Sequence, residues 1–187
     1  MSAQIMTPRQ WEALSAMQKS IRRGLEEEAG RFFFELAETA AVHIAINRLR
    51  VIAHEDIGLG DPAAATYALL CIYDAKDLYK GKNDGWRLPA ANAVMALCRA
   101  KKSRESDHFQ CVMRGRNKTP LGIPDYAYDK HTHKGKKLGR GIGHFRAEAA
   151  VLNPPHTDKY EDEAYKYWTE SEVNAKAETP TDQSPLL

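Results

Sequence analysis

The sequence predicts an all-α fold: a compact bundle of about five or six helices, then a loop-rich basic segment and an acidic tail. Three observations carry that expectation. Apolar residues recur every three to four positions through most of the chain up to Arg114. Helix-opening signals, Thr7-Pro8 and Asp61-Pro62 among them, stand just ahead of such runs. No stretch reads as a strand. With 187 residues, 43% of them apolar, the chain can build one sizeable core plus a tail. The expected division is a helical domain over 1–152, including the basic loop segment 115–150, and a partly disordered acidic tail over 153–187.

In order along the chain, Thr7-Pro8-Arg9-Gln10 forms a capping box, and Trp11, Leu14, Met17, Ile21 and Leu25 follow on one helical face. A short helix over 26–40 carries Phe32, Phe33 and Phe34. Three adjacent rings span more than one core stripe, so part of the set is expected at a subunit interface, or else between two layers of the same chain. A helix over 41–55, with Val42, Ile46, Leu49 and Ile52 inward, runs into the charged corner His54-Glu55-Asp56. Gly58-Leu59-Gly60 breaks it, and Asp61-Pro62 opens the next helix. The corner either fixes the angle between helical hairpins or forms a ligand site. That next helix reaches about Tyr79 with Ala64, Tyr67, Ala68, Cys71, Ala75 and Leu78 on one face. After a turn at 80–85, another helix opens at Trp86-Arg87-Leu88-Pro89 and points Ala93, Val94, Leu97 and Cys98 inward. Ser103 can cap a last helix through about Arg114, with Phe109, Val112 and Met113 as its buried face.

Past Gly115 the character changes. Residues 119–124 are expected as extended loop, and 125–145 are rich in histidine, lysine and glycine. An aromatic acidic stretch with Tyr160, Tyr165, Tyr167 and Trp168 could fold back as an amphipathic helix, with disorder expected after about Val173.

The run Arg48-Leu49-Arg50-Val51-Ile52-Ala53-His54-Glu55-Asp56-Ile57-Gly58-Leu59-Gly60-Asp61-Pro62 resembles Arg-Leu-x-Arg-Ile-Ala-Ser-Glu-Asp-Ile-Gly-Leu-Ala-Asp-Pro. That pattern is typical of the C-terminal part of the RarA/MgsA family, AAA+ ATPases of stalled replication forks that include the Werner helicase-interacting protein. Here His54 replaces a serine and Gly60 an alanine. Leu14-Ser15-Ala16-Met17-Gln18-Lys19-Ser20-Ile21-Arg22 is similar to the family's Ser-Ala-Leu-x-Lys-Ser-Ile-Arg. Thr132, Lys136, Leu138, Gly139 and Gly141 fall where the family closes with Thr-Lys-x-x-Lys-x-Leu-Gly-Tyr-Gly. His131 stands at a common proline and Arg140 at an aromatic. The resemblance covers about Trp11 to Pro154 and implies an oligomerisation module, commonly a tetramer, without the motor half.

Charge is uneven. Cys98–Ala150 holds 13 Lys/Arg against 5 Asp/Glu, whereas Asn153–Leu187 holds 3 against 8. Basic segments attract phosphate backbones, so the candidate nucleic-acid contacts are Lys101, Lys102, Arg104, Arg114, Arg116, Lys118, Lys134, Lys136, Lys137 and Arg140. A solvated basic face without a partner fits the same charges. Interleaved glycines at 135, 139, 141 and 143 let backbone amides, together with these cations and Arg146, approach phosphate. His131, His133 and His144 with Asp129 are the one concentrated set of metal-competent side chains, a weak pattern without a fourth ligand at recognised spacing. Cys71, Cys98 and Cys111 read as buried free thiols of a reducing compartment. No Gly-x-x-x-x-Gly-Lys-Ser/Thr and no Gly-x-Ser-x-Gly occurs. The N-terminus lacks an apolar signal core and no apolar run is long enough to span a membrane, so a cytoplasmic location is expected.

The expectation is therefore a stand-alone, non-catalytic homo-oligomer, tetrameric by resemblance, that serves DNA replication, recombination or repair. It would bind DNA or a replisome protein and need no cofactor. Two alternatives remain: an adaptor that mixes with an intact AAA+ ATPase without touching DNA, and a metal-dependent enzyme.

Overall fold

The fold was described from a computed structural model, which covers residues 6–156 and 158–178. All regular structure among these residues is helical. The chain forms two compact units, Met1–Thr119 and Pro120–Leu187. Within the second unit Lys130 pairs with Glu172 and Arg146 with Asp162.

In the first unit, α1 (Pro8–Arg23) opens on the expected capping box and ends on Gly24 in the left-handed conformation. Its buried face is Ala13, Leu14, Met17, Gln18, Ser20 and Ile21. Trp11, 54% exposed, lies at the edge of the buried arc, and Leu25 falls past Gly24, outside the helix, where it stays exposed. Helix α2 (Glu26–Ala37) and α3 (Val42–Ile52) are separate. Thr39 closes the tight turn between them, its hydroxyl donating to Leu36 O at 2.8 Å and accepting from Ala41 N at 3.0 Å.

Helix α4 (Pro62–Lys80) and α5 (Arg87–Arg99) form an antiparallel pair joined by a turn and a 3-10 segment at Asp84–Trp86. Their facing residues are small: Ala65, Ala68, Cys71 and Ala75 on one helix, Ala90, Ala93 and Cys98 on the other. Small residues bring two helix axes close. Tyr67, expected inward, is half exposed. Trp86 seals the turn and meets Tyr79 edge to face at 5.4 Å. The core is continuous from Leu14, Met17 and Ile21 through Phe33, Leu36, Leu49 and Ile52 to Ile72 and Leu97.

Helix α6 (Glu105–Arg116) departs from expectation. None of its residues is buried, and Phe109, Val112 and Met113 are 64%, 44% and 37% exposed. It leaves the corner with its apolar stripe turned away from the core. Cys111 lies on this helix and is exposed, whereas Cys71 and Cys98 are buried as expected.

In the second unit, residues 120–124 are extended and a 3-10 turn spans Asp125–Ala127. Two short helices follow, α7 (His133–Lys137) and α8 (Ile142–His144), the latter running on into a π turn at Phe145–Ala149. Helix α9 (Glu161–Glu178) realises the aromatic acidic stretch, with Tyr165 as its buried ring. It continues five residues past Val173, where disorder was expected; the rest of that expectation lies outside the described residues.

An acidic corner and a candidate nucleic-acid interface

The corner after α3 is built by a change of helical pitch. Residues Ala53–Ile57 widen into a π turn, and Gly58–Gly60 tighten into a 3-10 turn. Gly58 takes φ 43°, a value that costs a side chain steric energy. At Gly60 the requirement is space: an added Cβ would lie 2.8 Å from Lys101 O and 2.9 Å from Ser103 Cβ. Asp61 caps α4 by accepting from Ala64 N at 3.0 Å, and Pro62 begins that helix.

Widening the turn places Glu55 and Asp56 side by side toward α1. Asp56, 1% exposed, accepts from Arg22 Nε at 2.6 Å and Gln18 Nε2 at 2.9 Å, and Arg104 Nε stands 3.8 Å away. Glu55 accepts from Arg22 Nη2 at 2.8 Å, Gln18 Nε2 at 3.2 Å and Arg104 Nη2 at 3.3 Å. Arg48 reaches Gln18 Oε1 at 3.3 Å, and Asp56 O accepts from Ser103 N at 2.9 Å. A buried carboxylate is tolerable only when paired and hydrogen-bonded. Here every partner comes from the same chain, so the corner ties α1 to α3 and to residues 103–107. His54 points outward and joins none of these contacts.

The structure sorts the candidate phosphate contacts into engaged and available groups. Lys102 Nζ donates to Cys98 O at 2.8 Å and Ala100 O at 2.6 Å, closing the end of α5. Burial lowers its pKa. Arg104 belongs to the corner and pairs with Asp107. Arg140 staples its own loop, donating to Asp125 O and Tyr128 O at 2.8 Å and gripping the Asp125 carboxylate at 2.6 and 2.8 Å. Arg146 pairs with Asp162 and lies over the Tyr165 ring. By contrast Lys101, Arg114, Arg116, Lys118, Lys136 and Lys137 are exposed, and their side chains make no hydrogen bond or ion pair among the described residues. Lys134 is exposed and its ammonium rests on the Tyr128 ring, 3.9 Å from the centroid.

The glycine-rich loop already holds an anion. Ile142 N donates to Glu172 Oε2 at 3.0 Å, and Lys130 Nζ reaches Glu172 Oε1 at 2.7 Å. The α9 carboxylate therefore sits where a phosphate would meet the Gly141-Ile142 amide. Gly135 serves packing: a Cβ there would overlap the Asp129 carbonyl. The histidines do not converge. His131 Nδ1 meets Asp129 Oδ2 at 2.9 Å and holds that carboxyl below its usual range, while His133 is exposed at the start of α7. No group of three or more metal-competent side chains forms among the described residues.

Of the three phenylalanines, Phe33 is wholly buried in its own chain, leaving only Phe32 and Phe34 with surface. Phe32 lies beneath the Arg9 guanidinium at 5.9 Å, and Phe34 packs edge to face on Phe33 at 5.2 Å. Sequence reasoning did not single out Arg22 and Gln18 as corner partners or Glu172 as an internal anion. The first pair lies inside the motif Gln18 to Arg22, which was the available signal.

Fold and corner together define an all-helical module among the described residues. Residues 32–183 match the family model described as MgsA AAA+ ATPase C terminal. The replication-associated recombination protein A of Bacillus subtilis (strain 168) is 35% identical over 137 residues, 71% of this chain and 31% of that protein. The chain belongs to the MgsA AAA+ ATPase C-terminal family, and it spans less than a third of that curated relative's length. Among the described residues no helix is long and apolar enough to cross a membrane.

Proposed function

We propose that this chain is a non-catalytic, self-associating module of DNA replication and recombination, which holds DNA through charge alone. The observation that carries the reading is the set of exposed cations Lys101, Arg114, Arg116, Lys118, Lys136 and Lys137, whose side chains make no hydrogen bond or ion pair among the described residues. Ten candidates reduce to a smaller set because Lys102, Arg104 and Arg140 hold the fold together. Membership in the MgsA C-terminal family and similarity to a replication-associated recombination protein support the biological setting. Contacts of this kind grip phosphates without reading bases, so binding is insensitive to sequence and steeply dependent on salt.

The test is fluorescence anisotropy of a labelled duplex titrated with the full chain across a salt series. Replacing Arg114, Lys118, Lys136 and Lys137 by Gln should weaken binding and flatten the plot of log affinity against log salt by about 0.9 for each phosphate no longer neutralised. Unchanged affinity and slope in the quadruple variant would remove the proposed role of these side chains. Absence of binding by the parent chain, together with co-purification of an intact family ATPase, would select the adaptor reading.

A further inference from the structure

Helix α6 is a surface that none of the described residues of its unit covers. It packs on the corner through its first turns, where Ser106 Oγ is the nearest atom to a Cβ placed on Gly58, and none of its 12 residues is buried. A helix this short is marginal in water unless one face is covered. Its apolar residues form one stripe, Phe109, Val112 and Met113, which with Leu59 line an open groove of about 770 Å³. Glu105 and Arg116 fall on the same stripe, one at each end, because positions 105, 109, 112, 113 and 116 follow the helical repeat. Neither end residue makes a side-chain ion pair among the described residues.

The pattern is complementary to itself when reversed. Laid antiparallel about a two-fold axis through the middle of the helix, Glu105 meets Arg116 of a second copy, His108 meets Met113, and Phe109 meets Val112. Each pairing occurs twice. A two-fold interface requires this reciprocity, with residue i touching j while j touches i. Opposed helix dipoles and end charges of opposite sign favour the antiparallel sense. We infer that the α6 face is the seam of a symmetric dimer, in which two copies of this chain pair through Phe109, Val112 and Met113 and are held in register by Glu105 and Arg116. The inference rests on the self-association part of the proposed function and names its surface. It also withdraws Arg116 from the DNA-contacting set, while Arg114, on the far side of the helix, stays available.

The test measures the mass of the full chain by sedimentation equilibrium. Val112→Asp, at a position already 44% exposed and therefore harmless to the fold, should shift the population toward monomer. Glu105→Arg and Arg116→Glu should each weaken the dimer about tenfold, and the double exchange should bring it back to within about twofold of the parent. A disulfide probe is independent of these charges. In Cys111→Ser/Val112→Cys the two introduced thiols lie about 4.5 Å apart along the helix axes and should cross-link rapidly under diamide, whereas Cys111 of the parent, pointing away from the seam, should not. A parent chain that is monomeric at about 100 µM, well above the concentration at which a specific dimer should form, would overturn both the seam and the self-association reading. An oligomer indifferent to Val112→Asp would overturn the seam alone. Failure of the double exchange to restore pairing, with a slow cross-link at position 112, would overturn the antiparallel register.

Discussion

Removing Arg22 strips the corner of its α1 cation and leaves Gln18 of the same helix in place. In Arg22→Ala, Asp56 loses its 2.6 Å partner and Glu55 its 2.8 Å partner. What remains at Asp56 is Gln18 Nε2 at 2.9 Å and the more distant Arg104. Breaking a buried pair by deleting one member costs about 3–5 kcal/mol, because the other charge is left in a poorly hydrated place. Arg22 is 30% exposed, so water partly enters the space it leaves, and the lower end, about 3 kcal/mol, is expected. For a folding unit of this size that lowers Tm by roughly 10 °C. Asp56→Asn is the informative companion. It keeps the shape and the Gln18 contact and leaves Arg22 paired with Glu55, so its cost should be about half as large. Urea unfolding followed by circular dichroism at 222 nm measures both. If Arg22→Ala changes stability by less than about 0.5 kcal/mol, as an ordinary surface substitution does, the corner is not held by its buried ion pairs.

Other consequences follow from the same geometry. Gly60→Ala should destabilise by about 1–3 kcal/mol, because its Cβ meets the backbone of Lys101 and Lys102; a neutral result in thermal melts would show that residues 101–103 yield freely. Burial pushes the Cys98 thiol up to about 11, so at pH 8 it stays protonated; a thiol reagent should label Cys111 alone in the native chain and all three cysteines in denaturant. Because the folded chain holds that proton more tightly, this group favours folding below its ordinary pKa and loses the benefit as pH rises from 9 toward 11, visible as a falling urea midpoint. Glu172→Gln should raise DNA affinity by up to about fivefold at low salt, the worth of a partly exposed ion pair, since it releases Lys130 and removes the carboxylate from the Ile142 amide; equal affinity would mean that the acidic helix does not compete with DNA.

Helix order in the first unit was legible because each element carries both a period and a start signal. Thr7, Asp61 and the Ala-rich faces of α4 and α5 all sit where their chemistry requires. The exposed face of α6 was not legible, since a stripe of Phe109, Val112 and Met113 reads the same whether it packs on its own chain or waits for another. Trp11 and Tyr67 failed for a related reason: a helical repeat fixes a direction around the axis but not the width of the buried arc. At the corner, sequence pattern located Glu55 and Asp56, yet their partners lie more than 30 residues away in the chain. Gly60 was visible as a departure from the family's alanine, and only the approach of residues 101–103 explains why this chain needs the smaller residue. Among the cations, composition showed the excess but could not tell Arg140, consumed by Asp125 and Tyr128, from Lys136 and Lys137, which remain available.

Sedimentation velocity of the full chain with a fluorescent duplex, repeated from about 50 to 500 mM salt, bears most directly on whether exposed cations give this helical module its role. If they do, the labelled duplex travels with the protein at the lowest salt and is released progressively as salt rises. A duplex that sediments as free DNA at about 50 mM salt, with excess protein present, contradicts the DNA-binding role.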